Sequence, residues 1–119
     1  MSVESNTFCA GGISLGDGRW AVFGGNQPVT YHGIAIKDAA DKSNPYGNAD
    51  GGDAIRVLKP CDDGTCVYDE GGADLTMTVG RLIHLQGKTL TGQGKRWYPY
   101  IESLGDGSAI IIGGDTNGG

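Results

Sequence analysis

The sequence has little of what several large classes of protein require. Ile, Leu, Val and Phe make up only about a fifth of its 119 residues, close to the composition of disordered chains. No apolar run approaches the roughly 18 residues that cross a bilayer. Basic residues are few, at 9 Lys and Arg against 14 Asp and Glu, so the clustered positive charge of a nucleic-acid-binding surface is not expected. Residues 1–5 also lack the basic start and apolar core of a secretory signal.

Glycine, in contrast, is abundant at 23 residues, nearly three times its usual share of about 7%. The apolar residues are grouped in short runs, of which Trp20–Phe23 and Ala109–Ile112 are the clearest. Short apolar runs bounded by turn residues predict buried β-strands. The length leaves room for one small domain.

Two of the three cysteines lie close together in the sequence. Four residues separate Cys61 from Cys66, and the Asp-Asp-Gly between them favours a turn. We predict a local disulfide; zinc is the alternative, although no second pair of Cys or His follows to complete four ligands. A disulfide would indicate an oxidising compartment. Cys9 would then be a reactive thiol, or a residue whose partner is not a cysteine.

One segment of the sequence occurs twice. Residues 14–25 and 103–114 both begin with Ser-Leu-Gly-Asp-Gly and end with Gly-Gly, at an offset of 89 residues, and 7 of the 12 positions are identical. Gly-Asp-Gly is typical of a tight hairpin turn, and the Gly-Gly pair is expected where crowding by backbone leaves no room for side chains. The order strand, turn, apolar strand, Gly-Gly is that of a kelch propeller blade. We predict an all-β fold: a truncated, partial kelch-type β-propeller with about one blade and strands of its neighbour.

The offset exceeds the roughly 50 residues of an ordinary kelch unit. The excess is expected in long loops at 38–52 and 79–95, with further strands at 53–58 and within 67–77. Extended backwards, the same offset aligns Cys9 with Tyr98. Equivalent positions of neighbouring blades lie side by side, so these two residues are predicted to be spatial neighbours. Pro99 is expected to hold Tyr98 in an extended conformation.

The ordered motifs of the chain resemble the N-terminal part of glyoxal oxidases, of which galactose oxidase is a more distant relative. The resemblance runs from about residue 6 to the end and identifies residues 1–119 as a propeller fragment. The matching segments are Asn6-Thr7-Phe8-Cys9-Ala10-Gly11-Gly12, Gly24-Gly25-Asn26, Asp53-Ala54-Ile55-Arg56, Pro60-Cys61 to Cys66, Arg96-Trp97-Tyr98-Pro99, Asp106-Gly107-Ser108 and Ile112-Gly113-Gly114.

This resemblance implies a secreted, extracellular copper radical oxidase. Such enzymes oxidise simple aldehydes, such as glyoxal and methylglyoxal, to carboxylic acids and reduce O2 to H2O2. In the family a thioether joins the Cys of the Phe-Cys segment to the Tyr of Arg-Trp-Tyr, which carries over to Cys9 and Tyr98. That tyrosine is also a copper ligand, so Tyr98 is implied as one. Aldehyde oxidation removes two electrons and copper accepts one, so the cross-linked phenol would accept the other.

The family's remaining copper ligands have no counterpart in the chain. They are a Tyr-His pair and a further His from the C-terminal half of the propeller. His84 is isolated, and Tyr31-His32 lies in the first blade, far ahead of the family's pair. We therefore expect a fragment that is inactive without the C-terminal blades, which would also account for the missing signal. The alternative is a non-catalytic kelch module that binds a glycan or a protein through its long loops.

Overall fold

The computed structural model describes residues 3–70 and 95–115. Within these ranges the chain forms the strands β1 (Gly11–Ser14), β2 (Trp20–Phe23), β3 (Ile55–Lys59), β4 (Val67–Asp69), β5 (Tyr100–Ser103) and β6 (Ala109–Ile112). Strands β1 to β4 form one antiparallel sheet in sequence order, and β5 pairs with β6 in a second antiparallel sheet. Neither range contains a helix, so the all-β prediction is confirmed. In the described ranges no helix is long and apolar enough to span a membrane.

The strands lie close to their predicted positions. β2 and β6 coincide with the two apolar runs, and the strand predicted at 53–58 is β3. The strand predicted within 67–77 includes β4, and the remainder of that prediction lies outside the described residues. The loop predicted at 38–52 contains turns and one isolated bridge, between Ser5 and Ala49. The loop predicted at 79–95 lies, except for Lys95, outside the described residues.

Both copies of the repeat fold into the same hairpin turn. In the first copy the N–H of Leu15 donates to the carbonyl oxygen of Arg19 at 2.7 Å; in the second, the N–H of Leu104 donates to that of Ser108 at 2.8 Å. The aspartate of each turn accepts the N–H two residues later. The glycine after each aspartate has a φ of 86° and 83° respectively, a left-handed conformation that glycine adopts without steric cost.

The core lies between the two sheets. Within the described part of the chain its buried apolar side chains are Leu15, Ala21, Phe23, Ile55, Val57 and Ala109. Isoleucines of β1, β5 and β6 pack against this cluster, and β1 contacts β5. Gly11 permits that contact, because a Cβ atom there would lie only 2.6 Å from Cδ1 of Ile101.

The Gly-Gly pair of the first repeat lies where backbone crowds it, as predicted. A Cβ atom on Gly24 would lie 2.2 Å from the carbonyl oxygen of Arg96, and one on Gly25 would lie 2.0 Å from that of Asn6. The second pair is less crowded: a Cβ atom on Gly114 would lie 3.2 Å from a carbonyl oxygen, and the glycine before it has nothing within 4 Å. The first pair therefore lets two distant segments approach the same sheet end.

A buried arginine holds the N-terminal segment against this sheet end. Arg56, on β3, is 0% exposed. Its Nε donates to Oγ of Ser5 at 2.7 Å, and its Nη1 donates to the carbonyl oxygen of Gly24 at 2.7 Å. Oγ of Ser5 donates in turn to Oε2 of Glu70 at 2.6 Å, so the hydroxyl connects the guanidinium to a carboxylate. A buried charge needs such partners, because desolvation without them is costly.

Replacing Arg56 by lysine is expected to destabilise the fold by about 2 kcal/mol, because an ammonium cannot reproduce the several directed hydrogen bonds of the guanidinium. The matched control is Arg19→Lys, since Arg19 pairs with Asp17 at the surface and such pairs contribute little. Urea unfolding measures both variants. Equal losses in the two variants would contradict the assigned role of Arg56.

Gly51→Ala is expected to lower the free energy of unfolding by about 2 kcal/mol, as overpacking does. The added Cβ atom would lie 1.9 Å from the carbonyl oxygen of Asn6 and 2.6 Å from Nη2 of Arg56. Gly105→Ala is the matched control: neither glycine has a left-handed backbone, and Gly105 has nothing within 4 Å of an added Cβ atom. If the two variants unfold at the same urea concentration, the close approach at Gly51 is wrong.

Candidate functional site

Two segments that are distant in sequence meet at the crowded end of the first sheet. The N–H of Arg96 donates to the carbonyl oxygen of Gly52 at 2.7 Å, and the N–H of Gly25 donates to that of Arg96 at 2.9 Å. Two residues later, the N–H of Tyr98 donates to the carbonyl oxygen of Cys9 at 2.9 Å. The prediction that Cys9 and Tyr98 are spatial neighbours is therefore confirmed.

Both members of this pair have a strained backbone. Cys9 has a φ of 60° and Tyr98 a φ of 56°, and they are the two non-glycine residues with a positive φ in the described ranges. Side chains make this region unfavourable, at a cost of about 1–3 kcal/mol for each residue. Such residues persist only where the surrounding structure over-determines them, and they concentrate at functional sites.

The prediction that Pro99 holds Tyr98 extended is wrong. Trp97 exchanges two backbone hydrogen bonds with Asp115, both of 2.8 Å, and the next N–H donates to Cys9 instead. The chain turns between these partners, so Tyr98 is left-handed and β5 begins only two residues later. Long-range backbone pairing thus overrides the extended preference of a residue that precedes proline.

The side chains of the pair also interact. Cys9 is half-buried and Tyr98 is 65% exposed. A side-chain hydrogen bond with Cys9, assisted by charge at that residue, raises the pKa of Tyr98 above its ordinary value of 10.0. The thiol and the phenol are therefore neighbours, on residues that are also joined by a backbone hydrogen bond.

Trp97 is part of the site, although the sequence motifs predict no role of its own for it. Its ring centroid lies 4.7 Å from that of Tyr98, with the planes tilted by 58°. In an extended strand these adjacent side chains would face opposite sides, whereas the left-handed turn at Tyr98 brings them together. The one signal in the sequence is the repeat offset, which aligns Phe8 with Trp97 as it aligns Cys9 with Tyr98.

A cavity of about 580 Å³ opens beside these residues. Phe8 and Trp97 line it, together with Tyr31 and Tyr46 from the loops that follow β2. Cys9 and Tyr98 do not contribute to its lining. In each of the dipeptides Phe8-Cys9 and Trp97-Tyr98, the first side chain therefore lines the cavity and the second belongs to the cysteine–tyrosine pair.

The other two cysteines form the predicted disulfide. Cys61 and Cys66 are bonded, with their Cα atoms 5.0 Å apart, and the bridge closes the turn between β3 and β4. The zinc alternative for this pair is therefore wrong.

Of the residues considered as copper ligands, Tyr98 and His32 lie within the described ranges. Tyr98 and His32 are both exposed, and His84 lies outside the described residues. No cluster of three or more His, Cys, Asp or Glu side chains occurs in residues 3–70 and 95–115.

Comparisons of the chain with protein-family models, with curated proteins and with solved structures find no match. The function is therefore inferred from the sequence motifs and from the geometry around Cys9 and Tyr98.

Removal of the thiol by Cys9→Ala is expected to lower the pKa of Tyr98 toward 10.0, because the hydrogen bond that favours the neutral phenol is lost. Since the folded pKa exceeds the unfolded one, this bond stabilises the fold below pH 10.0, and its contribution is lost as the pH rises through the folded pKa. Carbon NMR of the tyrosine rings follows each titration separately.

Tyr100 provides the crossed control for this titration. A hydrogen bond with Glu102 raises the pKa of Tyr100. Glu102→Gln should lower the pKa of Tyr100 and leave that of Tyr98 unchanged. Cys9→Ala should lower the pKa of Tyr98 and leave that of Tyr100 unchanged. A Tyr98 titration that is insensitive to Cys9→Ala would show that the two side chains do not interact.

Proposed function

We propose that the chain carries the cysteine–tyrosine cofactor of a secreted copper radical oxidase of the glyoxal oxidase type. The reaction is the oxidation of a simple aldehyde, such as glyoxal or methylglyoxal, to a carboxylic acid, with reduction of O2 to H2O2. One observation carries the proposal: the N–H of Tyr98 donates to the carbonyl oxygen of Cys9, and these are the two non-glycine residues with a positive φ in the described ranges. Backbone strain of this kind concentrates at functional sites.

Both residues that the cross-link joins would come from this chain. Thioether formation breaks the S–H bond of Cys9 and a ring C–H bond of Tyr98, makes one S–C bond, and releases two protons and two electrons. O2 accepts both electrons and both protons and becomes H2O2. The backbone hydrogen bond between the two residues supports this step, because it keeps the cysteine and the tyrosine next to each other.

Copper, when bound, supplies a one-electron redox partner for the phenol. Tyr98 is its ligand from this chain, and the family's further ligands have no counterpart here, so the parent protein would provide them. The chain's own contribution is to hold the phenol in one orientation and to make it easier to oxidise, since the thioether sulfur donates electron density to the ring. The Trp97 ring contacts that phenol, with the ring centroids 4.7 Å apart.

The architecture is consistent with this proposal. A four-stranded antiparallel sheet in sequence order, β1 to β4, has the make-up of one propeller blade, and β5 and β6 correspond to part of the next. A kelch-type propeller would place the ends of both sheets around one axis, where Cys9 and Tyr98 meet. The disulfide between Cys61 and Cys66 accords with an extracellular location.

The cross-link is tested in the full-length protein purified with copper under air. After reduction and alkylation, which remove the contribution of the disulfide, the peptides of Cys9 and Tyr98 should stay joined, at a mass two hydrogen atoms below their sum. Tyr98→Phe and Cys9→Ser should each abolish the link and lower glyoxal oxidation to below about one hundredth of the unmodified protein's rate. The isolated 119-residue chain should show no oxidase activity.

Tyr100→Phe is the control, because Tyr100 is an exposed tyrosine two residues from Tyr98 that takes no part in the proposed cross-link. It should leave both the link and the activity intact. Recovery of alkylated Cys9 and of unmodified Tyr98 from the copper-loaded protein would exclude the oxidase assignment.

A further inference from the structure

The cavity beside the cysteine–tyrosine pair has the size and lining of a ligand-binding site. Its volume of about 580 Å³ falls within the range of small-molecule pockets. Four aromatic side chains line it, those of Phe8, Tyr31, Tyr46 and Trp97. The rings of Tyr31 and Tyr46 meet edge to face with centroids 5.9 Å apart. Tyr31 is nevertheless 78% exposed, so its ring presents a large apolar surface to whatever enters.

Two polar atoms of residues that line the cavity are buried from solvent and have no hydrogen-bond partner among the described residues. Oδ1 of Asn48, an acceptor, and Nε1 of Trp97, a donor, are buried without a hydrogen bond within the described chain, and both residues line the cavity. Buried polar groups are ordinarily paired, because an unpaired one costs stability. Because both atoms are buried, a ligand reaches them only when the two side chains turn toward the cavity, an adjustment that is common on binding. A ligand that both donates and accepts hydrogen bonds would then satisfy both atoms.

The lining also carries no charge. Among the described residues that form it, the polar side chains are the amides of Asn6, Asn26 and Asn48 and the hydroxyls of threonine and tyrosine. An anion or a cation would therefore be desolvated without a counter-charge. The ligand that fits is neutral, has an apolar face and carries groups that act as donor and acceptor at once.

We infer that this cavity binds a neutral carbohydrate. A pyranose ring has an apolar face of C–H groups, which packs on the electron-rich face of an aromatic ring such as Tyr31 or Tyr46. Its hydroxyls can donate to Oδ1 of Asn48 and accept from Nε1 of Trp97. This binding function goes beyond the proposed oxidase activity and requires neither copper nor the cross-link of Cys9.

A proline-rich peptide is the main competitor, because such peptides also bind in aromatic grooves. Its carbonyl oxygens could accept from Trp97, but its proline residues have no N–H, so donors to Asn48 are fewer than on a sugar, where each hydroxyl both donates and accepts. A wholly apolar ligand would leave both atoms unpaired. The unpaired acceptor therefore favours a ligand with hydroxyl groups.

The 119-residue chain, labelled with nitrogen-15, is titrated with cellohexaose, xylohexaose, mannohexaose and chitohexaose. The two indole N–H resonances are the readout, since Trp97 lines the cavity and Trp20, 53% exposed on β2, does not. At least one of these sugars should shift the Trp97 resonance with a saturable dependence and leave the Trp20 resonance in place. Hexagalacturonate and a proline-rich decapeptide are titrated in parallel and should bind more weakly.

Tyr31→Ala and Tyr46→Ala should each weaken binding of the active sugar about tenfold, as expected for loss of one aromatic stacking surface. Tyr100→Ala removes an exposed tyrosine outside the cavity and should leave the affinity unchanged. An unchanged Trp20 resonance shows that a variant is folded, and two variants are used so that the loss of one does not end the test.

Three results would overturn the inference. They are a Trp97 resonance that no oligosaccharide shifts, an unchanged affinity in both cavity variants, and tighter binding of the peptide or of hexagalacturonate. None of them bears on the oxidase proposal, because the titrations contain no copper.

Discussion

The hydrogen bonds of the Arg56 guanidinium are the interaction on which the rest of the structure depends. Arg56 is wholly buried on β3, and its partners belong to other segments: Ser5 before the first strand and Gly24 at the end of β2. Before β1, the chain pairs with other backbone through an isolated bridge and single hydrogen bonds. A buried cation must keep its partners, so it fixes this segment, and with it the position of Cys9.

Close approach of backbone, rather than packing of large side chains, builds the candidate site. Carbonyl oxygens of Asn6 and Arg96 lie where the Cβ atoms of Gly25 and Gly24 would be, so both segments rest on the same glycine pair. Once they are held there, the hydrogen bond between Tyr98 and Cys9 forms at 2.9 Å. These contacts offset the strain of two left-handed residues, which local preference alone would not allow.

The sequence predicted the parts of the structure that depend on local pattern. The repeat located both hairpins, and its offset placed Cys9 beside Tyr98, because equivalent positions of adjacent sheets meet at the same end. The left-handed turn at Tyr98 could not be predicted, since it depends on a hydrogen bond to a residue 89 positions away. For the same reason the contact of Trp97 with Tyr98 was missed. The strand predicted at 53–58 includes Arg56 but did not indicate that its side chain is buried. The N-terminal segment, which packs over it, imposes that burial.

The cysteine–tyrosine pair and the cavity depend on the same two dipeptides, Phe8-Cys9 and Trp97-Tyr98. Phe8 and Trp97 line the cavity, and the residue that follows each of them belongs to the cysteine–tyrosine pair. Because the Trp97 ring lies 4.7 Å from that of Tyr98, a ligand that orders Trp97 also restricts the phenol beside it. The offset of the repeat explains why both features occur together. It relates Phe8 to Trp97 and Cys9 to Tyr98, and the two segments meet at one sheet end. Binding and redox chemistry would then be neighbouring uses of one structural unit.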